Sequence, residues 1–197
     1  MTIQKRKKTT VTHVIDGCVY GSANDVAYHE ELKANPYVKT FRLPTKKDKQ
    51  KFSRYGAYKC EINKIEFDST MEGRFYAHLL ECQNDKSNDL KSFEMQVTYT
   101  LVPGFTEKFS GKRIRPITYI ADFVLNFEDG TQQIIDVKGR KTPEFRIKEK
   151  LFMSQHRDVQ FLCVQWDAHD KTWRNLDDIE KDKRARKRAA AKKKKAS

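Results

Sequence analysis

Residues 117–143 read ITYIADFVLNFEDGTQQIIDVKGRKTP, and this stretch decides the fold. Ile117 to Phe127 is aromatic and β-branched, which predicts a strand. Glu128-Asp129-Gly130 predicts a turn, and Gln132 to Lys138 a second strand. Gly139 breaks the pattern. Thr142-Pro143 then predicts a helix start, with Thr as N-cap and Pro at the first helical position. Phe145, Lys148, Leu151, Phe152 and Gln155 fall on one helical face, and Val159 to Trp166 returns as a strand. The strand–helix–strand segment over 132–166 is long enough for a parallel crossover.

Upstream, Cys60 to Phe67 alternates like a strand. Ser69 with Glu72 three residues later matches a capping box, and Phe75, Leu79 and Cys82 recur at helical spacing behind it. Phe93 to Val102 predicts a strand ended by VPG, and TEKFSGKRIRP a basic loop. Before residue 54, Ser22 caps a predicted helix that Asn35-Pro36 stops, and a short strand is expected over Val38–Leu43. TKKDKQKFSR at 45–54 reads as a linker. Helices and strands in this order predict a mixed α/β protein with a mixed sheet flanked by helices. The expected organisation is an N-terminal extension over 1–54, a core over 55–170 and a disordered basic tail over 171–197.

Two segments resemble each other. Tyr20-Gly-Ser22-x-x-Asp25-x-x-Tyr28-x-x-x-Leu32 overlays Phe67-Asp-Ser69-x-x-Glu72-x-x-Phe75-x-x-x-Leu79. Lys39-Thr-Phe41 matches Lys91-Ser-Phe93 after a change in length. If this is a repeat, Asp25 is the counterpart of Glu72.

The net charge is +13, and all of it lies at the two ends. Residues 1–10 hold four Lys/Arg and no acid, residues 181–197 hold ten against one Asp, and the segment between is balanced. Clustered Lys and Arg follow phosphate backbones by counterion release, so a nucleic-acid partner is expected. The expected contacts are Lys112, Arg113, Arg115, Arg140, Lys141, Lys148 and the run Lys192, Lys193, Lys194, Lys195. No run of about 18 apolar residues exists, so no membrane helix is expected. The start lacks the apolar stretch of a secretory signal, and the expected location is cytoplasmic. The four cysteines form no CxxC pair and the histidines no HExxH, which argues against a zinc site or a disulfide framework. GxGxxG and Walker loops are absent as well.

The candidate chemistry lies in Asp122 and Asp136-Val137-Lys138. Residues two apart on a strand share a face, so Asp136 and Lys138 project together. The partner of Asp122 depends on the turn. A two-residue loop pairs positions summing to 259 and sets Asp122 opposite Val137; a three-residue loop with Gly130 left-handed gives 258 and sets it opposite Asp136. In the second register the two carboxylates stand roughly 5 Å apart at Cβ and need neutralising. A divalent cation such as Mg²⁺, which takes hard oxygen ligands, would do this.

Ala121-Asp122 followed by Asp136-Val137-Lys138 resembles the PD-(D/E)XK nuclease superfamily, with Ala121 where that pattern has Pro. The helix bearing Glu72 and the strand bearing Gln96 resemble elements preceding those motifs. The stretch Lys138 to Pro143 is similar to small phage-encoded nucleases of the Holliday-junction-resolvase kind. The resemblance spans about residues 60–166. It implies a restriction-endonuclease-like core and a Mg²⁺-dependent DNA endonuclease, with Mn²⁺ as substitute metal. Glu72, Asp122, Asp136 and the Val137 carbonyl would bind metal, Lys138 would position the attacking water, and Gln96 would support them. Duplex or branched DNA and a homodimer are the implied partners. The competing expectation is a nucleic-acid-binding protein without catalysis.

Overall fold

A computed structural model of the chain describes residues 13–16, 18–20, 22–49 and 58–196. The protein is mixed α/β, as its alternating patterns require. It divides into two compact units, Met1–Glu81 and Cys82–Ser197.

The first unit is built on a duplicated motif. Strands β1 (His13–Ile15) and β2 (Cys18–Tyr20) form a hairpin that leads into helix α1 (Ala23–Ala34), and β3 (Phe41–Arg42) follows. After the short helix α2 (Lys46–Lys49), a hairpin of β4 (Cys60–Ile62) and β5 (Ile65–Phe67) leads into α3 (Thr70–Asn84). The two hairpins share one register: His13 pairs with Tyr20 as Cys60 pairs with Phe67, each position offset by 47 residues. The helix starts also match. Ser22 Oγ donates to Asp25 at 2.7 Å and accepts its N–H, and Ser69 Oγ does the same with Glu72 at 2.7 Å. The repeat therefore includes the hairpins, beyond the helix and strand visible in sequence.

The single strand expected over 60–67 is instead this β4–β5 hairpin. Asn63 and Lys64 both take positive φ, 51° and 66°. Asn63 is anchored on three sides, with its side-chain oxygen accepting the Lys39 N–H at 2.7 Å, its amide donating to Tyr37 O and its backbone N–H donating to Thr40 O. Gly73 is where α3 crosses β4 closely: a Cβ there would lie 2.5 Å from Cys60 Sγ. The strand expected at 38–43 shortens to β3. Of the expected linker, Lys46–Lys49 is a helical turn and residues 50–54 lie outside the described set.

The second unit is a five-stranded sheet with helices. In chain order it contains β6 (Leu90–Val102), β7 (Phe105–Thr106), β8 (Arg113–Ile114), β9 (Ile117–Phe127), β10 (Gln132–Val137), α4 (Pro143–Gln155), β11 (Gln160–Asp167), β12 (Thr172–Asn175) and α5 (Leu176–Ala196). The sheet order is β12-β11-β10-β9-β6; β10 and β11 are parallel and the other neighbours antiparallel. Helix α4 makes the parallel crossover. It starts where the sequence puts it, Thr142 Oγ1 accepting the Phe145 N–H at 3.2 Å. Its Phe145 and Phe152 bury against Tyr99, Tyr119 and Phe161, forming the aromatic centre of the core with Leu101, Val124, Ile134 and Cys163.

The tail is the clearest correction. Residues 172–196 form β12 and α5 rather than a disordered segment. Leu176 and Ile179 are buried, Asn175 accepts the Asp177 N–H, and Arg174 bridges Asp167, Asp170 and Asp182. The Ala- and Lys-rich remainder continues in helix because those residues favour it.

Candidate active site

The β9–β10 turn sets the site. Phe127 N–H donates to Thr131 O at 3.0 Å, leaving Glu128, Asp129 and Gly130 as a three-residue loop with Gly130 at φ 84°. Asp129 fastens it by accepting the Thr131 N–H and hydroxyl. The register is the 258 alternative: Gln132 faces Asn126 and Ile135 faces Phe123. Continued by one step, it sets Asp122 opposite Asp136.

The backbone ladder stops at that step. Counting by twos from the Phe127–Thr131 bond, the next donor would be Val137 N–H towards Ala121. It donates instead to Asp122 Oδ2, at 2.8 Å. Strand β9 turns over at the same place. Tyr119 and Ala121, odd positions, face the α4 core; beyond Asp122, the even position Val124 does so. The residue facing Asp122 across β6 is Gln96, between the pairs Met95–Phe123 and Val97–Ala121, and its φ is +54°. A left-handed non-glycine residue inside a 13-residue strand is unusual, and such outliers concentrate at functional sites.

Asp136 is fully buried. It receives the Tyr119 hydroxyl on Oδ2 at 3.0 Å, and Lys138 Nζ forms an ion pair with Oδ1. Asp136 and Lys138 thus share a face, as their spacing requires. Lys138 is one-third exposed, its ammonium lies 4.8 Å over the Phe145 ring, and its backbone N–H donates to Val164 O. Burial raises the Asp136 carboxyl above its usual range, while Lys138 and the Tyr119 hydroxyl pull it back. Burial pulls Lys138 down, but the charges of Asp136 and Asp122 outweigh it and hold the ammonium protonated. Burial, then Asp136, pushes the Tyr119 hydroxyl well up, so it remains a donor. Tyr119 is the member that sequence reasoning missed; its signal was a polar-tipped aromatic three residues before the anomalous acid.

Asp122 and Asp136 offer hard oxygens, the Val137 carbonyl follows Asp136 directly, and Asp136 Oδ1 is met by the Lys138 ammonium. That donor set fits a Mg²⁺ ion completed by water and phosphate oxygens, which commonly takes only one or two carboxylates. Among the described residues no group of three or more His, Cys, Asp or Glu gathers as a metal cage. Glu72 lies in the first unit, in the first turn of α3, as a capping-box acid; Asp25 holds the same place on α1.

Of the expected phosphate contacts, Lys112, Arg113, Arg115 and Arg140 are exposed. Lys148 is half-buried and paired with Glu144 at 3.0 Å. Lys141 does not fit the expectation: its side chain is 4% exposed, between Glu149 at 2.7 Å and Asp177 at 2.8 Å, where it ties α4 to α5. Lys192, Lys193, Lys194 and Lys195 belong to the last turns of α5, and their side chains fall outside the described set. Among the described residues no helix is long and apolar enough to cross a membrane.

The fold and site define a mixed α/β protein with a carboxylate–lysine cluster at the end of a sheet hairpin. Residues 52–170 match the family described as "Protein of unknown function (DUF1064)", and the chain belongs to that family. No curated protein matches the sequence.

Proposed function

We propose that the protein is a metal-dependent endonuclease that hydrolyses phosphodiester bonds in duplex or branched DNA. The observation carrying this reading is the β9–β10 site. There a fully buried Asp136 and its Lys138 stand beside an acid that interrupts the backbone ladder. Apolar residues in place of a buried ion pair are often at least as stable, so stability gives no reason to keep one. Groups with burial-shifted pKa at the end of a structural element are what catalysis uses.

Asp122 and Asp136 would hold Mg²⁺ together with Val137 O, and Gln96 would support Asp122. When bound, Mg²⁺ lowers the pKa of its water and offsets charge on the phosphate. Tyr119 orients Asp136 by donating to Oδ2. Lys138, held protonated, positions a water and stabilises charge on the phosphate oxygens. The exposed cations of the second unit would hold the backbone, and a homodimer would allow paired cuts in two strands.

The test is plasmid cleavage with Mg²⁺, with Mn²⁺ and with EDTA. Asp122→Ala and Asp136→Ala should each abolish cleavage while DNA binding in a gel shift survives. Near-normal cutting by either variant would refute the site. The second reading is a nucleic-acid binder without catalysis. It is favoured by the engagement of both Asp136 oxygens within the protein, by Lys138 and Tyr119. Binding without metal-dependent cleavage by the unmodified protein would select it.

A further inference from the structure

Between β6 and β9 the chain forms a small arm, in which β7 and β8 pair Phe105 with Ile114 and Thr106 with Arg113. At its base Gly104 lets the two legs approach: a Cβ there would lie 3.0 Å from Ile114 O. The tip is internally braced. Glu107 accepts the N–H groups of Phe109 and Ser110 at 2.7 Å each, as well as the Ser110 hydroxyl. Glu107 N–H donates to Lys112 O, and Gly111, at φ +66°, donates to Glu107 O at 2.9 Å. The donors on Glu107, the Ser110 hydroxyl foremost, hold its carboxyl below the usual range. The arm's one acid is thus used in shaping the turn.

This braced turn holds a phenyl ring in water. Phe109 is 96% exposed. Around it Lys108, Lys112, Arg113 and Arg115 are all exposed. A large exposed apolar group on a preorganised support marks a contact site, and the cations select a polyanion. An apolar protein groove would leave four charges without partners. A lipid surface would need more than one apolar residue at the tip, and Lys108, Ser110 and Gly111 flank the ring. Nucleic acid answers both features, with phosphates for the cations and a base face for the ring.

We propose that Phe109 is a stacking wedge, and that it directs the protein to DNA with an unpaired or unstacked base, such as a branch point or flap, over continuous duplex. Cations alone hold any duplex; a ring gains a partner only where a base face is open. The inference rests on the nucleic-acid reading above and specifies its substrate class.

The test uses the full chain in EDTA, so that binding is measured without cleavage. A four-way junction and a flap are compared with a continuous duplex of the same composition. A 2-aminopurine at the branch reports stacking. Phe109→Ala should weaken binding to the branched forms about tenfold, equal to about 1.4 kcal/mol, and leave duplex binding unchanged. It should also remove the quenching of the 2-aminopurine, and Phe109→Trp should restore both. The ring is nearly free of contacts, so the melting temperature should not move. Equal losses on branched and continuous DNA, or none, would overturn the wedge. So would a Phe109-dependent affinity for anionic phosphatidylserine vesicles without discrimination between DNA forms. The two readings separate cleanly. Metal-dependent cleavage with no Phe109 effect leaves the nuclease standing and refutes the wedge. Phe109-dependent branch binding without cleavage does the reverse.

Discussion

Three side chains decide whether the buried charge in the β10 strand is there for stability or for chemistry. Lys138→Met alone leaves the Asp136 carboxylate buried with only the Tyr119 hydroxyl. Breaking a buried pair in this way costs about 3–5 kcal/mol, and because Lys138 is one-third exposed the lower end, about 3 kcal/mol, is expected. Tyr119→Phe/Asp136→Val/Lys138→Met removes every partner together. It leaves no orphaned hydroxyl or charge, and Val suits a strand. This triple variant should unfold within about 1 kcal/mol of the parent. Urea unfolding followed by tryptophan fluorescence measures it directly. The chain has two Trp, and Trp166 and Trp173 lie on neighbouring strands of the same sheet with ring centroids 5.7 Å apart. The triple variant should also be inactive. If it loses as much as the single Lys138→Met, the trio holds the sheet together and the functional argument loses its foundation.

Three further outcomes follow from the geometry. Glu72→Ala and Asp25→Ala each remove the carboxylate that accepts a Ser hydroxyl at a helix start, and each should lower stability by about 0.5–1 kcal/mol in urea unfolding; a loss at one position alone would refute the equivalence of the two caps. Ending the chain at Ala185 keeps the buried Leu176 and Ile179 and removes seven Lys/Arg. Affinity should fall alike for all DNA forms, with a shallower salt dependence in binding titrations. Burial pushes the Cys60 and Cys163 thiols up to about 12, so a thiol-reactive chromophore at pH 8 should count the half-buried Cys18 and Cys82, and all four only in denaturant. Because the fold favours the neutral thiols, their stabilisation is full below the ordinary thiol range. It is lost as pH climbs through about 12, so raising the native sample to pH 10 should not expose the other two.

The hairpin was legible because its turn leaves so few choices. Gly130 suits a two-residue as well as a three-residue loop, so the sequence leaves two registers open, and the Phe127–Thr131 bond is what sets Asp122 opposite Asp136. Asp136 and Lys138 were legible from period two alone. The over-turning of β9 at Asp122 was not, and neither was the left-handed backbone of Gln96 opposite it, a residue with no sequence mark of that conformation. Lys141 read as part of a basic loop with Arg140; its partner Asp177 lies 36 positions away, a distance local patterns do not span. Residues 60–67 concealed a hairpin because Asn63-Lys64 carries no glycine, and the turn is held by Lys39, Thr40 and Tyr37. The tail's composition hid the two apolar residues, Leu176 and Ile179, that dock its helix.

The bond from Val137 N–H to Asp122 also gives the protein an internal probe. A strand amide ordinarily meets a carbonyl, whose charge does not change, as the Lys138 amide meets Val164 O at 3.0 Å. The Val137 amide instead meets a carboxylate at 2.8 Å. Its proton resonance follows the electron density on that oxygen. In nitrogen-15-labelled protein, the Val137 cross-peak should move when a cation or a proton reaches Asp122, with the Lys138 cross-peak beside it as reference. Occupancy of the carboxylate can then be read by titration in the absence of any substrate.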